Sequence, residues 1–112
     1  MLRGGGSALD AVTAATVVLE DSPMTNAGFG SNLTWSGSVE CDSCIMDGQT
    51  LAWGGIGAVP GIRNPITVAK SLCMKQTGSS LLMGRVPPWL ALIPDTCCKH
   101  YCIFILSVKV HK

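Results

Sequence analysis

Apolar residues recur at helical spacing between residues 8 and 20, directly after a serine that can cap a helix. Ser7 and Asp10 fit a capping box, because the serine hydroxyl can accept the amide proton of the residue three positions later. Residues of a helix advance by about 100° each, so polar and apolar positions here separate into two sides. The predicted polar side carries Asp10, Thr13, Thr16 and Glu20, and the predicted buried side carries Leu9, Ala11, Val12, Ala15, Val18 and Leu19.

Three later stretches are predicted to be strands of a meander, over residues 33–35, 38–46 and 49–59. Turns at Ser36-Gly37 and Asp47-Gly48 separate them, and Asp-Gly between apolar runs is a strong indication of a hairpin. The third strand has apolar or glycine residues on both faces, which indicates an interior strand. Its glycines at positions 54, 55 and 57 indicate the close approach of a backbone or a ligand.

Prolines mark the boundaries of both predicted helices. Pro23 cannot donate a backbone hydrogen bond and ends the first helix. Asn64 before Pro65 places a capping residue ahead of a proline at the first helical position, so a second helix is predicted to run through about Gln76 and to stop at Gly78. Its predicted packing stripe is Val68, Ala69, Leu72 and Cys73.

Composition limits the classes of function. The 112 residues suit one small domain, and eight basic against seven acidic residues give a net charge of +1. We therefore expect no nucleic-acid partner and no attraction to an anionic membrane. The longest late apolar run, residues 101–108, is shorter than the roughly 20 residues of a membrane-spanning helix, so no membrane partner is expected either. With 47% apolar and 13% charged residues, the chain is expected to expose apolar surface.

The N-terminus lacks the apolar stretch of a secretory signal, so a cytoplasmic or nuclear location is expected. In such a compartment the six cysteines are predicted to be thiols, and the sequon Asn32-Leu33-Thr34 is interpreted as a chance match. One alternative is a small zinc module in the tail, although the tail's spacing contains no Cys-x-x-Cys pair. Its candidate ligands are Cys97, Cys98, His100 and Cys102.

Two further groups of residues are candidate sites. Glu40 and Asp42 share one face of a predicted strand and could form a carboxylate pair, although such pairs are more often structural. The Gly4-Gly5-Gly6-Ser7 run could bind an anion before a helix, but a flexible N-terminus explains it better. Because His100 and His111 are the only histidines and both lie in the tail, a nucleophile activated by histidine is not expected.

Several motifs occur in the order and at the spacings of the type 2 asparaginase family, which this chain resembles. Residues 22–26 (Ser-Pro-Met-Thr-Asn) and 84–88 (Gly-Arg-Val-Pro-Pro) resemble most the threonine aspartase branch, endopeptidases that cut nuclear regulatory proteins after aspartate. The motifs are Gly-Ser-Ala-Leu-Asp-Ala-Val (6–12), Leu-Glu-Asp-Ser-Pro (19–23), Asn-Ala-Gly-Phe-Gly (26–30), Val-Glu-Cys-Asp (39–42), Ile-Met-Asp-Gly (45–48) and Ile-Arg-Asn-Pro-Ile (62–66).

This resemblance implies an α/β fold, a partial αββα sandwich of the N-terminal-nucleophile hydrolase type that is incomplete in this chain. Residues 4–88 are expected to form part of an α-subunit, and residues 89–112 a tail outside the family. Family members free a threonine by self-cleavage, and that threonine uses its own amine as base. The Asp95-Thr96 dipeptide lacks the expected following residues, so its match is attributed to chance.

The resemblance therefore implies a fragment of a threonine aspartase-like hydrolase, with no catalytic residue of its own and no activity alone. The family's substrates would be proteins with aspartate at the cleavage site. The alternative is a non-catalytic partner that dimerises with a full-length homologue. No organic cofactor is expected.

The resemblance also implies two features of the loop that follows the first helix. Asn26 matches an asparagine that helps to order the active site, although an asparagine in a glycine-rich turn can simply bind its own backbone. Backbone carbonyls of this loop would hold a sodium ion, a hard cation that oxygen donors suit. The carbonyls that the resemblance assigns to the ion are those of Leu19, Glu20, Ser22, Thr25, Ala27 and Phe29.

Overall fold

The computed structural model describes residues 2–75 and 80–84. In this part of the chain no helix has both the length and the apolar character that a membrane span needs. The predicted helix end at Gln76 and Gly78 and the predicted tail 89–112 lie outside the described residues. The elements in chain order are a 3-10 turn (Leu2–Gly4), α1 (Ala8–Glu20), a second 3-10 turn (Gly28–Gly30), β1 (Cys41–Met46), β2 (Trp53–Val59), α2 (Pro65–Lys75) and β3 (Leu81–Met83).

The three strands form one mixed sheet in which β2 lies between β1 and β3. β1 and β2 are antiparallel, with Ile45 opposite Gly54, whereas β2 and β3 are parallel, with Ile56 opposite Leu82. β2 is therefore interior in the order of strands, but the predicted cover on both of its faces is not found within residues 2–75 and 80–84, where Trp53, Leu81 and Met83 are exposed. β3 has three residues, too few to show a periodicity in the sequence.

The connection between β1 and β2 is longer than the predicted two-residue turn. The Asp47 carboxylate accepts hydrogen bonds from the Gln49 amide (3.1 Å) and the Thr50 hydroxyl (2.7 Å). The Leu51 amide donates to the Asp47 carbonyl at 2.8 Å. These local bonds compete with the ladder, so β2 begins at Trp53 rather than at residue 49.

The predicted strand over residues 33–35 is wrong, because this segment forms a turn. The Thr34 hydroxyl lies 3.0 Å from the Ser36 hydroxyl and 2.9 Å from the Ser38 hydroxyl. Hydroxyl side chains offer the backbone an alternative to the sheet ladder. The Trp35 side chain is fully exposed at this turn.

α2 packs against one face of the sheet through the predicted stripe of Val68, Ala69, Leu72 and Cys73, which is confirmed as buried. Two clusters of buried side chains form the core at this contact. One contains Ile56, Val59, Ile62, Val68 and Leu72, and the other contains Ile45, Ile66, Ala69 and Cys73.

Gly54 is the point of closest approach between β2 and α2. A Cβ on Gly54 would overlap the Ala69 carbonyl oxygen and the Cys73 amide nitrogen, both of which are backbone atoms. The predicted close approach of another backbone to this strand is thereby confirmed at Gly54.

Replacing Gly54 with alanine is expected to lower the free energy of unfolding by about 2 kcal/mol, because overpacking forces the helix away from the sheet. Gly4→Ala is the matched control, since a Cβ at Gly4 meets nothing within 4 Å. Urea unfolding of both variants measures the difference. Equal midpoints for the two variants would contradict the expected clash.

α1 begins and ends as predicted, but the side that it buries was predicted incorrectly. The Ser7 hydroxyl accepts from the Asp10 amide at 3.1 Å, which confirms the cap. Val18 on the predicted buried side is 68% exposed, whereas Thr16 and Glu20 on the predicted polar side are 2% exposed.

The polar side of α1 can be buried because its polar groups are paired. The Thr13 hydroxyl donates to the Leu9 carbonyl at 2.7 Å, and the Thr16 hydroxyl donates to the Val12 carbonyl at 3.0 Å. Burial of a hydrogen-bonded hydroxyl carries little penalty. Together with Leu9 and Val12, these threonines therefore form a packing face.

Candidate functional site

Residues 19–32 are here called the 19–32 loop; they comprise the last two residues of α1, the connection after it, the second 3-10 turn and the two residues that follow. They contain every site residue that the resemblance implied. Asn26 closes this loop, because its side-chain oxygen accepts a hydrogen bond from the Asn32 amide at 2.9 Å. The observed contact is the local backbone contact of an asparagine in a turn. The active-site role of Asn26 stays a prediction.

Thr25 binds two backbone carbonyls at the start of the loop. Its hydroxyl contacts the carbonyl oxygens of both Leu19 and Ser22, the latter at 3.1 Å. The Ser22 amide also donates to the Leu19 carbonyl at 3.2 Å. Two of the six carbonyls that the resemblance assigned to a cation therefore lie next to one hydroxyl.

Gly28 and Gly30 let further carbonyls lie against the loop backbone. Gly28 has φ +55°, and a Cβ there would overlap the Glu20 carbonyl. A Cβ on Gly30 would overlap the Thr25 carbonyl oxygen. The Ala27 carbonyl accepts from the Gly30 amide at 3.2 Å. Only glycines at these two positions permit this close packing.

The assignment of these carbonyls to a sodium ion stays a prediction. The oxygens of Leu19, Ser22, Glu20 and Thr25 are neutral backbone acceptors gathered by one hydroxyl and two glycines, and hard cations prefer oxygen ligands. Across residues 2–75 and 80–84, no three His, Cys, Asp or Glu side chains form a metal-binding group. The Cys97, Cys98, His100 and Cys102 set of the proposed zinc module lies outside the described residues.

The Glu20 carboxylate binds the N-terminal turn of α2 and is a feature that sequence analysis missed. Its Oε1 accepts from the Ile66 amide at 3.1 Å, and its Oε2 accepts from the Asn64 side-chain nitrogen at 3.2 Å. Burial raises the pKa of Glu20 to about 7, although the hydrogen bonds from Ile66 and Asn64 favour the ionised form. The same Asn64 nitrogen also donates to Asp21 Oδ1 at 3.2 Å.

Two ion pairs lie at the sides of this contact. Arg63 Nε lies 3.2 Å from Asp21 Oδ1, and both side chains are largely exposed. Lys70 Nζ lies 2.5 Å from Asp10 Oδ1, and this contact with the side-chain hydrogen bond from Ser7 lowers the pKa of Asp10 to about 2. α1 is therefore joined to α2 near both of its ends.

The Asp42 side chain is bound to the neighbouring strand. Its Oδ1 accepts from the Ala58 amide at 2.6 Å, where the register of β1 and β2 shifts. Ala58 has φ 52°, a strained value for a residue with a side chain, so the carboxylate holds an irregular backbone in place. This contact supports the structural interpretation of Asp42.

The described cysteines contain no disulfide. Cys41 and Cys44 have Cys-x-x-Cys spacing, but residues three apart on a strand lie on opposite faces. The Cys41 thiol contacts the Ile62 carbonyl at 3.7 Å, and the Cys73 thiol contacts the Ala52 carbonyl at 3.2 Å. Burial raises the pKa of Cys73, so this thiol is a core group.

Comparison of the sequence with known proteins identifies the family. The type 2 asparaginase family model, described as asparaginase, matches residues 1–91. The plant-type L-asparaginase of Pyrococcus furiosus is 52% identical over 80 residues, which cover 71% of this chain and 26% of that protein. Human isoaspartyl peptidase/L-asparaginase is 53% identical over 85 residues, which cover 76% of this chain and 27% of that protein.

The rat isoaspartyl peptidase/L-asparaginase is 46% identical over 85 residues. This chain spans about a quarter of the length of these curated relatives. The three-stranded sheet with two helices is consistent with part of an N-terminal-nucleophile hydrolase fold. The expectation of the family is therefore confirmed: the chain belongs to the type 2 asparaginase family of the N-terminal-nucleophile hydrolases.

Proposed function

We propose that this chain is an α-subunit segment of a threonine-nucleophile amide hydrolase and that its 112 residues hydrolyse no substrate by themselves. The observation that carries the first part is the 19–32 loop, in which the Asn26 side chain binds the Asn32 amide and the Thr25 hydroxyl binds backbone carbonyls, in a chain that the asparaginase family model matches over residues 1–91. The second part is supported by the sequence, which contains no Thr-Val-Gly-Ala segment, the start that the family resemblance implies for the subunit with the nucleophilic threonine.

The proposed specificity is that of the threonine aspartase branch, cleavage of a protein after aspartate. It is supported by residues 22–26 and 84–88, which resemble that branch. The rival specificity is hydrolysis of asparagine or of isoaspartyl bonds, and the names of the relatives from Pyrococcus furiosus and human support it. A location in the cytoplasm or nucleus goes with the first specificity.

A chimera tests whether this segment can serve in such a hydrolase. Residues 6–76 of this chain replace the matching segment of the human isoaspartyl peptidase/L-asparaginase, and the product is assayed with a β-aspartyl dipeptide, asparagine and a peptide containing an internal aspartate. We expect self-cleavage and turnover. A chimera that folds without cleaving itself or any substrate would contradict the assignment to this hydrolase class.

Asn26 is the first residue to vary in this chimera. Asn26→Ala is expected to lower kcat about tenfold, because the loop loses the bond to Asn32 that holds it closed. Asn32→Ala is the matched control, since the bond uses the Asn32 backbone amide and survives this change. Equal kcat values for the two variants would contradict a role of Asn26 in the active site.

The isolated chain is assayed with the same three substrates, and we expect no turnover above buffer. Turnover that disappears in Thr96→Ala would show that Asp95-Thr96 is a genuine cleavage site. Capture of a full-length homologue by the chain without turnover would favour the alternative function, a non-catalytic partner. Stoichiometric zinc in the purified chain would favour the module of Cys97, Cys98, His100 and Cys102.

We further propose that a sodium ion binds the carbonyls of the 19–32 loop. Replacing sodium chloride with tetramethylammonium chloride at equal ionic strength is expected to lower the midpoint of thermal unfolding by a few degrees, because a bound ion stabilises only the folded state. An unchanged midpoint would contradict the site. The residues that would supply the carbonyls are Leu19, Glu20, Ser22, Thr25, Ala27 and Phe29.

A further inference from the structure

Glu20 makes contacts in two directions. Its side chain leaves the last turn of α1 and binds the Ile66 amide and the Asn64 carboxamide at the start of α2. Its backbone carbonyl lies against Gly28 in the second 3-10 turn of the loop. Glu20 therefore contacts both the start of α2 and the second 3-10 turn.

The Ile66 amide belongs to the first turn of α2, where backbone amides have no partner within the helix. A capping residue usually satisfies such an amide with its own side chain. Here the Asn64 side-chain nitrogen instead donates to Glu20 and Asp21. The cap of α2 is thus supplied by α1, and the position of one helix end depends on the other.

The loop side of Glu20 is equally constrained. Because a Cβ at position 28 would overlap the Glu20 carbonyl, the turn at Gly28–Gly30 lies directly on the end of α1. The Ser31 amide donates to the Gly28 carbonyl at 3.3 Å, which continues this packing toward Asn32. A shift of the Glu20 backbone would therefore displace the far half of the loop.

We propose that the Glu20 carboxylate is a positioning group that fixes the 19–32 loop relative to the N-terminus of α2. Its importance for catalysis rests on the proposed function, because the loop carries Asn26. Its structural role does not, since it follows from the contacts of Glu20 alone. The charged groups next to the carboxylate are Asp21 on its own element and Arg63, which pairs with Asp21.

Three variants separate positioning of the loop from general stabilisation. Glu20→Met keeps the length of the side chain but removes both acceptor oxygens. Glu20→Gln is the conservative variant, because its single oxygen can still accept from the Ile66 amide. Asp10→Asn is the matched control, because it weakens the other side-chain contact between α1 and α2, the pair with Lys70.

Amide hydrogen exchange on the whole chain, in whatever assembly it adopts, provides the readout. The loop probes are the amides of Ser31 and Asn32. The reference probes are the amides of Asp47 and Gly55, which donate to Ala52 and Ser80 in the sheet region. The quantity compared is the exchange rate of the loop probes divided by that of the reference probes. We expect this ratio to rise about tenfold in Glu20→Met, to rise about threefold in Glu20→Gln, and to stay unchanged in Asp10→Asn.

An unchanged ratio in Glu20→Met, or a rise of the same size in Asp10→Asn, would overturn the positioning role. If Glu20→Met does not fold, Glu20→Gln decides, and an unchanged ratio there overturns the proposal. Hydrolysis does not enter this readout. A chimera without activity would therefore contradict the proposed function and leave the positioning role standing.

Discussion

Prepared alone, the 112-residue chain is expected to elute as an oligomer rather than as a monomer of 11.7 kDa. The reason is the face of the sheet that α2 does not cover. Since the Cβ position of Gly54 points into α2, Gly55 and Gly57 face the opposite side. A Cβ on Gly55 would meet Trp53, Leu81 and Cys44 at van der Waals distance, which places these side chains together on that side.

This open face is apolar and exposed to solvent in the described structure. Trp53 is 43% exposed, Leu81 47% and Met83 64%. Complete burial of each such side chain stabilises by about 1.5–3 kcal/mol, so covering several of them rivals the ~5–15 kcal/mol stability of a domain. Across the described part of the sheet, β1 and β3 also each have one unpaired edge. Exposed apolar faces and open edges both favour association.

Light scattering after size exclusion measures this association. Leu81→Lys combined with Met83→Lys is expected to shift the chain toward smaller species, because it charges the open face. Met74→Lys is the matched control, since Met74 is 66% exposed but lies on α2. A wild-type monomer with a cooperative unfolding transition would contradict the expectation.

The local elements of this fold could be predicted from the sequence because they depend on local chemistry. Ser7, Pro23 and Asn64-Pro65 fix helix boundaries through hydrogen bonds and backbone restrictions within a few residues. The apolar residues of β2 predicted a buried strand, and in the described residues α2 covers one of its two faces. Both kinds of inference need only the neighbouring sequence.

The burial of α1 could not be predicted in the same way, because pairing between distant elements decides it. A charged residue such as Glu20 is predicted to lie on the surface, because its partners Asn64 and Ile66 follow more than 40 positions later. Likewise Thr13 and Thr16 count as polar although each hydroxyl is satisfied inside its own helix. A periodic pattern records the polarity of side chains and not whether they are paired.

The candidate site shows the same division. The sequence motifs single out Asn26 and residues 19–29 as candidates, since these lie in one continuous segment. The contact of Asn26 with the Asn32 amide and the contact of Thr25 with two carbonyls required coordinates. The positioning role proposed for Glu20 required the relative placement of α1 and α2.

Stability is expected to fall as the pH rises from about 4.5 to above 7. Burial raises the pKa of Glu20 from its ordinary value of 4.5 to about 7, so in this range the folded chain binds more protons than the unfolded chain. The free energy of unfolding then decreases with pH. The difference between the Glu20 pKa values of the folded and unfolded chain lowers the free energy of unfolding by about 3 kcal/mol once the pH exceeds both values, since each pKa unit is worth about 1.4 kcal/mol.

Asp10 acts in the opposite direction and at lower pH. The contact with Lys70 lowers the pKa of Asp10 to about 2, so its contribution is present above its ordinary value of 3.8 and is lost as the pH falls toward 2. These two groups together predict a maximum of stability near pH 4 to 5. The pair is partly exposed, so solvent screens it and its contribution is small.

Urea unfolding of the wild-type chain and of Glu20→Gln at pH 5 and pH 8 measures the effect of Glu20. The wild-type chain is expected to lose about 3 kcal/mol between these values, whereas the glutamine variant, which cannot ionise at this position, should keep a nearly constant midpoint. Asp21→Asn is the matched control, because it removes a neighbouring exposed carboxylate and should leave most of the decline. A wild-type stability that is constant or rises between pH 5 and pH 8 would show that the Glu20 carboxylate is ionised in the folded chain without penalty, and that its bonds to Ile66 and Asn64 offset its burial.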